Sequence, residues 1–245
     1  MPTELNHKSM VRRIQLDMKQ QPDDYTCGPT CLHAVYSYYN DHIDLDQLIS
    51  EVHRLDDGGT LGVMLANHAL DRGYKATIFT YNLNIFDPTW FDIPQGLLSV
   101  KLTQMLEMQE TGSKMALAIS CYLQYLQKGG EIRFKDLNGN LLRYYLKRDI
   151  PILTGLSATY LYRCARERDM EDRMVYDDIA GEPAGHFVVL SGYKLNNRTV
   201  RVSDPYSSNP KYLKHYYDVK VDRLINAILL GILTYDANLV VIEPK

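Results

Sequence analysis

The sequence predicts an α+β fold, helical in its first half and antiparallel β in its second. Two observations carry this. Up to about residue 148, apolar residues recur at helical spacing in one segment after another. From residue 150 onward, four short β-rich runs bounded by turn signals dominate instead. Segregating helices from strands along a chain argues for α+β rather than alternating βαβ units. No repeat, low-complexity segment or linker interrupts residues 1–245, so one domain is expected.

Taken in order, residues 10–17 (MVRRIQLD) alternate loosely at Val11, Ile14 and Leu16 and predict a short strand. From Cys27 the pattern turns helical, with Cys31, Val35 and Tyr38 on one face. Pro29 fits the first turn, which has no backbone donor to lose. Asp44, with Gln47 three residues on, resembles a capping box opening a second helix. Its apolar face is Leu45, Leu48, Ile49, Val52 and Leu55. DDGGT (56–60) breaks that helix, and Thr60 is a candidate cap for a third, ending near Gly73. YKATIFTY (74–81) reads as a strand and residues 82–95, with two prolines, as loop. Helices follow at 96–110 and 113–128, the second stopped by Gly129 and Gly130. EIRF is a short strand and residues 138–148 a further helix. Strands are expected at 150–157, 185–193, 199–205 and 237–244, with one helix at 218–233. Residues 162–185, dense in arginine and acid, read as a solvated loop or a substrate-recognition lid.

Bulk properties exclude several classes. Net charge −3 and pI 6.2 give no global attraction to nucleic acid or anionic membrane. No run of eighteen apolar residues predicts a membrane span, and MPTELNHKSMVRRIQ has no apolar signal-like stretch. A cytoplasmic setting without a disulfide framework is expected. Cys27, Cys31, Cys121 and Cys164 lack zinc-site spacing, and DDGG (56–59) lacks that of an EF-hand. Neither a metal nor an organic cofactor is expected.

The chemistry concentrates in QQPDDYTCGPTC (20–31). Acyl transfer by a thiol needs a thiolate, a base, a group that orients the base, and donors for the oxyanion. Cys27 at a helix start gains from the positive end of the helix dipole, and its own amide can face an oxyanion. Gln21, six residues earlier, offers a side-chain NH2 as a second donor. His186, at the head of GHFVVLSGY, is the best base. Asp204, eighteen residues later, reaches it if two antiparallel strands turn around KLNNRT. Cys31 reads as core, Cys121 and Cys164 as structural, and His33, His42, His53 and His68 as surface or packing residues. Arg166 and Arg168 are candidate substrate contacts, suited to a carboxylate.

Q-x5-C-G-P-x-C before a helix, then GHFVVLSGY, then V-x-V-x-D-P, resembles the cysteine peptidases that cleave double-glycine leaders from bacteriocins, with their stand-alone relatives. The resemblance implies a papain-like fold, with a helical part carrying the cysteine packed on an antiparallel sheet carrying the base. It implies Cys27 as nucleophile, His186 as base, Asp204 as its orienter and Gln21 as oxyanion donor. It also leaves residues 56–148 as a largely helical elaboration, and this chain shows no membrane span or ATPase domain. The expected activity is hydrolysis of a peptide or amide bond through a thioester. Transfer of the acyl group to an amine at the same site, or non-catalytic peptide binding on the same scaffold, are the alternatives.

Overall fold

The computed structural model describes residues 11–55, 58–92, 96–170, 173–234 and 236–245. The readings for Met1–Met10, Asp56, Asp57, Pro94, Glu171 and Asp172 lie outside the described residues.

The elements run in order as β1 (Val11–Arg13), α1 (Cys27–Tyr38), α2 (Leu45–Glu51), α3 (Gly62–Asp71), β2 (Lys75–Thr80), α4 (Gly96–Glu107), α5 (Lys114–Gln127), β3 (Glu131–Arg133) and α6 (Gly139–Leu146). Then come β4 (Ile152–Ser157), α7 (Ala158–Tyr162), β5 (Glu167–Met170), β6 (Arg173–Tyr176), β7 (Gly185–Lys194), β8 (Thr199–Ser203), β9 (Tyr216–Lys220), α8 (Val221–Leu229) and β10 (Asn238–Glu243). The main sheet is ordered β3-β2-β10-β4-β7-β8-β9, with β1 added to β7. Every pairing in it is antiparallel except β2–β3. β5 and β6 form a separate hairpin. The fold is α+β, as the segregation of patterns predicts.

The centre of the sheet is apolar on both faces. Gly185–Lys194 buries eight successive residues, His186 to Tyr193, as a strand covered on both sides must. Full burial of a side chain such as Val188 or Leu190 stabilises by roughly 1.5–3 kcal/mol. α1 lies against β7 and is buried along Cys27–Tyr36; a helix buried all round is central rather than amphipathic. Its first turn is thereby pinned to the strand that begins at Gly185.

Several expectations are corrected. The first strand is only three residues long. Asp44 does cap α2, accepting from the Asp46 and Gln47 amides at 2.9 and 3.2 Å. Gln47, however, turns its side chain to Glu51 at 2.7 Å, so the reciprocal half of the box is absent. Thr60 does not cap α3; the Gly62 N–H donates instead to Asp236 Oδ2 at 2.7 Å, from 174 residues away. The helix expected from 218 starts at Val221, because 216–220 is β9. Tyr217 and Val219 are buried there in alternation, a period of two that a helix cannot use. The charged stretch after residue 162 is not loop alone but contains the β5–β6 hairpin.

Candidate active site

Cys27 is the first residue of α1. The preceding Thr26 has no side-chain capping bond; its hydroxyl exchanges 3.3 Å hydrogen bonds with the Asp23 backbone. The opening amides of a helix have no intrahelical acceptor, and here no side chain of the capping residue covers them. Pro29 carries no N–H, so Cys27 and Gly28 are the donors at that end. Gly28 sits tight: a Cβ there would lie 3.2 Å from Leu65 and 3.3 Å from Phe187. The absence of a side chain lets α1 press its first turn onto β7.

His186 is the second residue of β7, opposite Leu156 of β4, and Asp204 follows β8 directly. β7 and β8 pair antiparallel with a bulge between Leu190 and Gly192. The result is a hydrogen bond of 2.8 Å from His186 Nε2 to Asp204 Oδ1. This is the approach that the turn at KLNNRT predicts.

Asp204 is fully buried, and both its oxygens are engaged. Oδ1 also accepts from the Tyr206 N–H at 2.9 Å. Oδ2 accepts from the hydroxyls of Tyr162, at 2.7 Å, and Tyr217. Burial by itself pushes the Asp204 carboxyl up, but the His186 charge and the three side-chain donors outweigh it, and its pKa is lowered. Burial likewise pushes His186 down, while Asp204 and a hydrogen bond with Cys27 push it up further, to about 10. The Asp204 carboxylate thus favours the protonated form of His186. With Nε2 held by Asp204, Nδ1 is the ring nitrogen left for the thiol. Tyr162 and Tyr217 are raised by burial first and by Asp204 second, so both remain donors.

Gln21 is stitched to the same turn: its N–H donates to the Pro205 carbonyl at 3.0 Å. Its neighbour Gln20 accepts from the Ser207 amide and hydroxyl at 3.0 and 2.6 Å. Gln21 Nε2 donates to the Asp23 carbonyl at 2.7 Å, and Oε1 is buried without a partner. One hydrogen of the Nε2 group remains for another acceptor.

Cys27 and His186 border a cleft of about 720 Å3 that also reaches Tyr25, Glu167, Arg168 and Met174. Arg168 lines this cleft but faces Asp177 at 3.7 Å. Arg166 borders a different cavity, and its Nη2 donates to the Asp178 and Ile179 carbonyls at 2.7 and 2.8 Å. Cys31 is buried, its Sγ donating to the Phe187 carbonyl at 3.3 Å, and burial raises its thiol well above the usual range. Burial pushes Cys121 up to about 11 and also raises Cys164. Among the described residues no group of three or more His, Cys, Asp or Glu is placed to hold a metal ion. No helix among them is long and apolar enough to cross a membrane.

A model of the family described as "Peptidase_C39 like family" matches residues 102–223, a span that takes in His186 and Asp204 but not Gln21 or Cys27. A putative C39-like peptidase from Bacillus anthracis superposes over 96% of this chain and 98% of its own, with a TM-score of 0.51 at 15% identity. Xylellain, a cysteine protease from Xylella fastidiosa, covers 96% of this chain and 86% of its own, at a TM-score of 0.47 and 13% identity. No curated protein matches the chain. The chain is thus similar in sequence to the C39-like peptidases over residues 102–223, and it shares the fold of the Bacillus anthracis protein.

Proposed function

We propose that this C39-like chain is a thiol hydrolase that cleaves a peptide or amide bond through Cys27, His186 and Asp204. The observation that carries the reading is the placement of His186: its Nε2 is bound to a buried carboxylate, and it lines the same open cleft as Cys27. His186 is the base that takes the Cys27 thiol proton. The thiolate attacks the carbonyl carbon, and the oxyanion develops against the Cys27 amide and the free hydrogen of Gln21 Nε2. His186 gives its proton to the leaving amine, and the acyl group stays on sulfur as a thioester. A water molecule then gives a proton to His186 as its oxygen attacks, and the thiolate departs. Asp204 keeps the imidazole oriented throughout and does not exchange a proton. Peptides entering beside the β5–β6 hairpin are the proposed substrates.

The test is turnover of a peptide and acyl-amide library by the wild type and by Cys27→Ala. Cys27-dependent release of an amine supports the reading. Release that survives in Cys27→Ala contradicts it, and acyl transfer to an added amine in preference to water assigns the site to a transferase.

A further inference from the structure

One carboxylate of the β5–β6 hairpin lines the cleft without a hydrogen-bond or ion-pair partner among the described residues. Glu167 opens β5 and lines the same cavity as Cys27 and His186. Its backbone is fixed from both sides, the N–H donating to the Glu182 carbonyl at 2.9 Å and the carbonyl accepting from the Glu182 N–H at 2.7 Å. Its side chain is half-buried, and among the described residues its carboxylate makes no hydrogen bond or ion pair. Burial pushes its pKa up, Asp24, which lines the same cleft, pushes it the same way, and His186 opposes them.

The basic groups nearby are engaged elsewhere. Arg168 faces Asp177, and Arg166 holds the carbonyls of Asp178 and Ile179. Lys114 acts on Asp236, which is itself occupied by the Gly62 amide and Asn238 at 2.7 Å each. A half-buried carboxylate without a partner is destabilising, and a ligand that brings the opposite charge recovers that energy only while bound. His186 does not fill the role, because its Nε2 is held by the buried Asp204 carboxylate.

We propose that Glu167 is a specificity-determining residue that receives a cationic group of the substrate, a lysine or arginine side chain or a free amine beside the scissile bond, with Asp24 strengthening the field. This rests on the hydrolase reading for its substrate class. It reverses the sign that Arg166 and Arg168 suggest from sequence, since Arg166 holds the Asp178 and Ile179 carbonyls and Arg168 faces Asp177.

The experiment compares peptides identical except for Lys, Gln or Glu beside the scissile bond, in wild type, Glu167→Gln and Glu167→Lys. The wild type is expected to favour Lys over Gln by about five- to tenfold in kcat/KM, the range of a partly desolvated ion pair. In Glu167→Gln the ratio falls to near one through KM for the Lys peptide, and Glu167→Lys turns the preference toward Glu. A Lys/Gln ratio that Glu167→Gln leaves unchanged overturns the proposal. Equilibrium binding of the same peptides to Cys27→Ala separates this from the hydrolase reading. A Lys preference there that Glu167→Gln removes sustains the charge inference even without turnover. A binding preference indifferent to Glu167 overturns it, whatever the chemistry.

Discussion

The cleft is lined by a first wall, the start of α1 and the head of β7, backed by the turn after β8 through Asp204, and by a second wall, the β5–β6 hairpin. On the first wall the polar groups answer one another inside the protein. Asp204 has four donors, His186 Nε2 is held by it, and Gln20 and Gln21 are tied to the turn at 205–207. On the second wall Met170, Met174 and Tyr176 are exposed, Arg168 makes only a 3.7 Å pair, and the Glu167 carboxylate has no hydrogen-bond or ion-pair partner among the described residues. Gln21 Oε1 apart, the groups of the first wall are paired, which suits it to fixed geometry. A wall with unsatisfied and exposed groups is suited to meeting something from outside. The difference separates the proposed chemistry from the proposed recognition.

The contrast predicts where substitutions hurt. The largest effect is expected at Asp204. Asp204→Ala strands the His186 cation and two tyrosine hydroxyls in a buried site, costing about 3–5 kcal/mol in denaturant unfolding and reducing kcat by at least about 10^3-fold. Next is Tyr217→Phe, which deletes one donor to Asp204 Oδ2 and should cost about 1.5–3 kcal/mol. Because Tyr162 binds the same oxygen, the double variant Tyr162→Phe with Tyr217→Phe should depart from additivity. Additive losses would mean that the two hydroxyls act independently of Asp204.

The pH dependence of stability probes the same wall. His186 lies at about 10 in the fold against an ordinary value of 6.5. Its stabilising contribution is complete below about 6.5 and is lost as pH rises toward 10. Asp204 is lowered below its ordinary 3.8, so its contribution holds above that value and is lost on further acidification. Tm should therefore fall between pH 7 and 10, and the slope should flatten in His186→Gln. The smallest effect is expected on the opposite wall. Arg168→Gln removes an exposed pair and should change stability by less than about 0.5 kcal/mol.

Much of the first wall was legible in sequence, because its parts carry local signals. Cys27 precedes a helical period, His186 heads an apolar run, and the KLNNRT turn sets the β7–β8 pairing that joins His186 to Asp204. Tyr162 and Tyr217 were not legible as site residues. They reach Asp204 from 42 and 13 residues away, and a tyrosine among 19 carries no mark of its partner. Tyr217 did have a signal for its strand in the alternation of residues 216–220. The hairpin was hidden for another reason. Its strands are only four residues long, one mostly charged (ERDM) and one a short apolar run (RMVY), so neither gives a period to read. The sequence shows which residues there are charged, but only the fold shows which charges are already paired.

The most direct test of the proposed centre is the rate of iodoacetamide labelling at each of the four cysteines in the native protein near neutral pH, resolved by peptide mass. The helix start and the His186 cation predict that Cys27 reacts at least about tenfold faster than Cys31, Cys121 or Cys164, and that Asp204→Asn slows Cys27 alone. Equal rates at Cys27 and the other thiols, or a Cys27 rate indifferent to Asp204, would contradict the account.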